Sequence, residues 1–194
     1  MTRRALGFDV GKERDYPGLV ILDDDGSPCR AIRRAARLPL GLAYPRQVEV
    51  VHQSIQAWRP DIVVIDAGGV GNSFFDFVED EPGGEVSYLW GCTLTSGQHI
   101  RIDWERRRIK VPKRSMIRHL QTSIERGLVK PAPDLPKEDR EILQEECESL
   151  ENRIVEATGY VKTEARGSNH DDVLFALMLA LVGMKLLSER GGKS

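Results

Sequence analysis

The sequence predicts an α/β fold in which a three-stranded antiparallel meander continues into parallel strands, with helices on the flanks. Two observations carry the first half of that statement. Short apolar runs at Ala5 to Val10, Gly18 to Leu22 and Cys29 to Leu38 are separated by polar, turn-rich segments such as Asp23-Asp24-Asp25-Gly26, the pattern of consecutive hairpins. From Pro45 the period changes: Val48, Val51, Ile55 and Trp58 form one stripe of an amphipathic helix that must end before Pro60. A third observation supplies the parallel half. Ile62-Val63-Val64-Ile65 is apolar at every position, as in a central strand covered on both faces, and the order strand, helix, strand, helix, strand requires parallel pairing.

The remaining elements follow from similar signals. After Asp66-Ala67-Gly68-Gly69-Val70-Gly71, a short helix runs through Phe74, Phe75 and Val78, a loop spans Glu81 to Gly84, and Val86 to Leu94 reads as a strand. Pro112 suits a first helical position, with Ile117, Leu120, Ile124 and Leu128 as the apolar stripe behind it. Pro131 to Pro136 is a loop. Glu138 to Asn152 is an acidic helix turning Ile142, Leu143, Cys147 and Leu150 inward, and Arg153 to Glu156 and Tyr160 to Thr163 are expected to form a hairpin around Thr158-Gly159. A polar loop, Glu164 to Asn169, precedes a last helix beginning near Asn169 or His170, with Ser168 and Asn169 as candidate N-caps. That helix is apolar around most of its circumference up to Leu187 and should lie buried against the sheet. Residues 1 to 190 are expected to form a single domain, with 191 to 194 as a frayed tail.

Composition narrows the function classes. Charged residues make up 30% and the hydrophobic set 40% of 194 residues, which excludes collagen-like, low-complexity and wholly disordered chains. The longest apolar run, Val173 to Met184, falls short of the ~20 residues that cross a bilayer, and no secretory leader is visible. No membrane partner is expected. Three cysteines without a CxxC pair fit reduced thiols in a cytoplasm and do not point to zinc. The net charge of −2 is not the basic footprint of an obligate nucleic-acid binder, but the charges segregate. Arg30, Arg33, Arg34 and Arg37 crowd one segment, Arg101 to Arg118 hold a second basic group that includes Lys113 and Arg114, and acid gathers at Glu138 to Glu151. Such segregation can steer a polyanion onto one face.

Three acidic positions stand where a sheet otherwise wants neutral residues. Asp9 follows Leu6-Gly7-Phe8 near the end of the first strand, Asp66 ends the central strand, and Asp171-Asp172 open the most hydrophobic helix. Ligands of parallel α/β sheets bind at the carboxyl ends of the strands, so neighbouring Asp9 and Asp66 strands would converge there, with the last helix delivering a third acid. Clustered carboxylates stay ionised beside a cation, and hard oxygen donors without a His or Cys cluster favour Mg²⁺ or Mn²⁺. The chemistry such a site serves is two-metal phosphoryl transfer. Each acid has an ordinary alternative: Asp9 as a strand end, Asp66 as a turn former before Gly68, Asp171 as a cap for its own helix. Gly68-Gly69-Val70-Gly71 reads as a tight turn, since it lacks both the P-loop Lys-Ser/Thr and the GxGxxG spacing. His170 beside the acid pair is a candidate proton shuttle, and Lys113 and Arg114 are candidates to hold a phosphate.

With these residues assembled, the chain resembles the RNase H-like nuclease superfamily, and in detail the nuclease domain of tailed-phage terminase large subunits. The resemblance lies in Gly7-Phe8-Asp9-Val10-Gly11 with Asp15-Tyr16, Val64-Ile65-Asp66 with Gly69-Val70-Gly71, Leu94-Thr95-Ser96-Gly97, Val111-Pro112-Lys113, and Asn169-His170-Asp171-Asp172 leading into Leu174-Phe175-Ala176-Leu177. It implies an RNase H-like mixed sheet and a metal-dependent endonuclease cutting double-stranded DNA during phage genome packaging. It also implies two Mg²⁺ or Mn²⁺ ions held by Asp9, Asp66 and Asp171 or Asp172, with Asp15, His170, Lys113 and Arg114 nearby. The implied partners are duplex DNA, an ATPase motor domain or subunit, the portal and the small terminase subunit, and the implied setting is the cytoplasm of a bacterial host carrying a phage or prophage. A full terminase subunit carries an ATPase motor, and this chain has no GxxxxGK[ST], so an excised nuclease domain or a stand-alone relative is expected.

Two other readings share part of the pattern. A Holliday-junction resolvase has a similar fold and acid set. An actin-like or sugar-kinase-like ATPase also begins on an Asp-x-Gly strand, but it needs two such domains, and Gly11-Lys12-Glu13-Arg14 lacks a hydroxyl to meet phosphate.

Overall fold

A computed structural model describes residues 1 to 191 apart from 12, 14, 70, 81–87 and 158–170; within it the side chains of 80, 150–157 and 191 are not described. The elements in chain order are β1 (Arg3–Asp9), β2 (Gly18–Asp24), β3 (Arg30–Arg37), α1 (Tyr44–Trp58), β4 (Ile62–Asp66), α2 (Gly71–Asp80), β5 (Leu89–Thr95), β6 (Arg101–Asp103), β7 (Arg108–Pro112), α3 (Lys113–Glu125), β8 (Val129–Pro131), α4 (Lys137–Ala157) and α5 (Asp172–Gly191). The strands join one sheet in the order β6-β7-β5-β4-β1-β2-β3-β8. β1, β2 and β3 form the expected antiparallel meander, while β1 to β4, β4 to β5 and β5 to β7 are parallel. The mixed sheet predicted from the apolar runs is therefore present.

Strand alternation divides the core in two. Ala5, Val20, Leu22, Ile62, Val64, Trp90 and Cys92 face α5, with α3 and α4 beside it. Leu6, Phe8, Leu19, Ile21, Val63 and Ile65 face Val48 and Val51 of α1 and Phe74, Phe75 and Val78 of α2. The uniformly apolar β4 is thus buried on both sides, as its sequence required. α5 approaches the sheet unusually closely. A side chain at Gly7 would strike the carbonyl of Ala176 and come within 2.6 Å of the Ala180 amide nitrogen, so the helix rests on bare strand backbone.

Several boundaries differ from expectation. Arg153 to Glu156 continues α4 as helix and is not the first strand of a hairpin; Tyr160 to Thr163 lies outside the described residues. Alternating and helical patterns are hard to separate over four residues, and the preceding helix propagates through them. Pro112 is the last residue of β7 and the N-cap of α3. Pro131 ends a short edge strand, β8, which pairs in parallel with β3, and α3 stops at Glu125, short of Leu128. α5 begins at Asp172; the proposed caps Ser168 and Asn169 lie outside the described residues. Gly191 still belongs to α5. Among the described residues no helix is long and apolar enough to cross a membrane.

Candidate active site

Asp9 and Asp66 end neighbouring parallel strands in register. Gly7 pairs with Val64 and Phe8 with Ile65, so the next pair along is Asp9 and Asp66. Alternation then fixes their face. Ala5, Gly7 and Asp9 share one side of β1, and Ile62, Val64 and Asp66 share the same side of β4, the side that packs against α5. On the other flank Asp9 pairs with Gly18, and Gly18 with Arg37, giving a row Asp66, Asp9, Gly18, Arg37 across one end of the sheet. The first turn of α5 lies over this row, since a side chain at Gly18 would strike the Asp172 carbonyl and come within 3.1 Å of the Val173 nitrogen. Helix and sheet thereby bring Asp171 and Asp172 to the end that carries Asp9 and Asp66.

The electrostatics register this convergence. Burial raises the Asp9 carboxyl well above the usual range, and the charges of Asp66, Asp172, Asp171 and Asp15 push it further. Burial also raises Asp66, opposed by the Gly68 amide, which donates to Asp66 Oδ1 at 2.9 Å. Asp172 rises to about 7, through burial first and then the charges of Glu146 and Asp171. Asp15 is exposed in the turn between β1 and β2, near enough to act on both Asp9 and Asp172. Cys92, paired with Asp66 in the sheet, is fully buried, and its thiol is pushed up to about 12, first by burial and then by Asp66. It is inert at neutral pH.

Among the described residues no three His, Cys, Asp or Glu side chains are already gathered into a metal-holding group. The donors nonetheless fit a hard divalent ion. Four carboxylates repel Asp9 in a buried setting where it carries a proton cost, and a cation would reverse that sign without needing nitrogen or sulfur ligands.

One residue of this neighbourhood, Glu146, was not singled out in the sequence. Glu146 of α4 is fully buried and accepts from Arg37 Nη2 at 2.7 Å and from the amides of Val173 and Leu174 at 3.0 and 2.9 Å. Burial raises its carboxyl, while Arg37 and the two amides pull it down. Position 146 falls on the inward stripe of α4 with Ile142, Leu143 and Cys147, so a signal existed: an acid on an apolar face.

The basic groups separate into two kinds. The β3 arginines are committed to acids: Arg30 to Asp24, Arg33 to Asp134, Arg34 to Asp139, and Arg37 to Glu146. They are half-buried and paired with acids rather than forming an open polyanion surface. Arg107 and Arg108 pair with Glu79 and Asp76 of α2. Lys113 and Arg114 are exposed on the first turn of α3 and line a groove of about 600 Å³ against Leu94 to Gln98, at the same end of the sheet as Asp66. Two strand spacings, about 10 Å, separate β7 from β4. His170 lies outside the described residues.

No family model and no curated protein matches the sequence. Solved structures do resemble the fold. The large terminase (g2p) nuclease domain of bacteriophage SPP1, solved with bound Mn, is 12% identical with a TM-score of 0.53, covering 93% of this chain and 85% of that one. The human cytomegalovirus terminase nuclease domain is 10% identical with a TM-score of 0.53, covering 93% and 83%. T. thermophilus RuvC in complex with a Holliday junction substrate is 10% identical with a TM-score of 0.45, covering 96% of each chain. With its antiparallel meander, parallel central strands and flanking helices, this chain has the RNase H-like fold of viral terminase nuclease domains.

Proposed function

We propose that the protein is a metal-dependent endonuclease that hydrolyses phosphodiester bonds of double-stranded DNA, acting as the nuclease of a phage packaging terminase. The observation that carries this reading is the placement of Asp9, Asp66 and the Asp171-Asp172 pair at one end of the sheet, on the face covered by α5, close enough for their charges to act on Asp9. Asp9, Asp66 and one or both of Asp171 and Asp172 would hold Mg²⁺ or Mn²⁺, two ions in the full site. Bound there, such ions supply Lewis acidity at the phosphate and a nucleophilic water at neutral pH.

The chain's own residues have separable tasks. Gly68 holds the Asp66 carboxylate through its amide, so that acid is oriented before any ligand arrives. Lys113 and Arg114 grip a phosphate of the duplex in the groove beside β5 and β7, which positions the scissile bond without reading sequence. Asp15 sits exposed at the rim, where its charge bears on Asp9 and Asp172. His170, next in sequence to the acid pair, is a candidate to carry a proton to the leaving oxygen. In a packaging machine an ATPase motor domain or subunit would feed the DNA.

Nicking of supercoiled plasmid in Mn²⁺ without ATP tests the proposal. Wild-type protein should convert the plasmid to open circles, and Asp66→Ala should leave it intact while melting as a folded protein. Undiminished nicking by Asp66→Ala would refute the site.

A further inference from the structure

We infer that Glu146 caps helix α5 from a neighbouring helix, and so fixes the turn that carries Asp171 and Asp172 to the ion-binding end of the site. This inference rests on the metal reading of the acid cluster. Phe175 N donates to the Asp171 carbonyl at 2.8 Å, so Asp171 occupies the N-cap position of α5. An N-cap aspartate ordinarily accepts from the amides two and three residues ahead, here Val173 and Leu174. Both amides donate instead to Glu146 Oε2, at 3.0 and 2.9 Å, from a different helix. The other oxygen of Glu146 is held by Arg37 Nη2 at 2.7 Å and Nε at 3.3 Å.

The arrangement is built rather than incidental. Glu146 has no solvent exposure, and Arg37 stands two strands from Asp9 in the row that also contains Gly18. A carboxylate so placed needs all its hydrogen bonds, and it spends them on the turn that presents Asp171 and Asp172. Were Glu146 removed, the orphaned amides would be open to the acid at their own N-cap position, Asp171. That acid would then turn back onto its own helix. Glu146 is therefore a positioning residue. A purely mechanical clamp between helix and sheet is the competing role, and Asp139 of the same helix exemplifies it: Asp139 is buried and accepts from Arg34 Nη1 at 2.5 Å and from Ala35 N at 2.8 Å, both on β3.

Mn²⁺ binding to the full chain, followed by electron paramagnetic resonance with melting in EDTA alongside, separates the two. Glu146→Ala should weaken Mn²⁺ binding about 10- to 100-fold, the usual effect of losing a partner that orients a ligand. Glu146→Gln, which keeps an oxygen for the amides, should bind near the wild-type level. Asp139→Asn should lower the melting temperature and leave Mn²⁺ affinity alone. Adding Asp171→Asn to Glu146→Ala should cause little further loss, because both changes remove the same ligand. If the alanine variant does not fold, Glu146→Asp carries the test: one methylene shorter, it cannot reach both amides and should show the same loss. Wild-type affinity in Glu146→Ala or Glu146→Asp, or an equal loss in Asp139→Asn, would overturn the capping role alone. A wild-type chain that binds no Mn²⁺ would overturn the metal reading with it.

Discussion

Replacing Gly18 with alanine should disarm the site while leaving the fold standing. Gly18 lies between Asp9 and Arg37 in the sheet, directly beneath the first turn of α5. A methyl group there would come within 2.7 Å of the Asp172 carbonyl carbon and closer still to its oxygen. Carbon atoms pack at about 3.5 Å or more, so the helix start must retreat by about 1 Å. Overpacking of this kind costs about 1–3 kcal/mol, a fall of about 2–12 °C in Tm for a chain of this size. The same 1 Å displaces Asp171 and Asp172 from Asp9 and Asp66, and a misplacement of that size can cost about 100-fold in rate. Plasmid nicking in Mn²⁺, with a melting curve on the same preparation, measures both effects. A folded Gly18→Ala protein that nicks at the wild-type rate would refute the idea that α5 delivers part of the site.

Three further outcomes follow from the same geometry. Asp9→Asn removes a buried charge facing other carboxylates, so in EDTA it should melt higher, by about 0.5–2 kcal/mol, while losing nicking; a lower Tm would contradict the repulsion. Because the folded-state carboxyls of Asp9 and Asp172 are raised above their unfolded values, the folded protein binds those protons more tightly. The Asp172 contribution to metal-free stability is then fully present below about pH 4 and lost as pH rises through about 7, the Asp9 contribution is lost in the same direction, and the Mn²⁺-induced rise in Tm should grow across that window; a pH-independent rise would argue against proton-ion competition. Lys113→Ala with Arg114→Ala should lower the slope of log affinity against log salt for duplex DNA by about 2, measured by anisotropy in Ca²⁺; an unchanged slope would remove both from the phosphate contacts.

How far the sequence disclosed this architecture depended on which physical signal each element carried. β4 was legible because burial on both faces forces a continuous apolar run, and α1 because Pro45 and Pro60 bracket a clean helical stripe. The short β6 and β8 were not, since three residues carry no readable period, and their pairing is imposed by β7 and β3. The end of α4 was misread because four residues of mixed polarity allow either period. Among the site residues, Asp9 and Asp66 stood out as acids terminating apolar strands. Glu146 and Arg37 did not, because each looks like a surface charge until the partner from another element is known. The cluster Arg30 to Arg37 shows the reverse error of scale: as a sequence run it suggests an open basic face, and in the fold its members each meet an acid.

The acids at the helix start are tolerated because the surrounding structure offsets their charge from behind. The N-terminus of α5 carries the positive end of the helix dipole, which favours Asp171 and Asp172 in its first turn. Glu146 would cancel that benefit were it alone, since its charge raises Asp172, but Arg37 neutralises Glu146 and pulls Asp172 down. α5 reaches the sheet because Gly18 and Gly7 leave strand backbone bare, the first under Asp172 and Val173 and the second under Ala176 and Ala180. Each glycine removes a side chain where a functional contact must be short. Packing and electrostatics therefore converge on one requirement: the helix must sit against strand backbone, so that the charges of Asp171 and Asp172 bear on the strand-end carboxylate of Asp9.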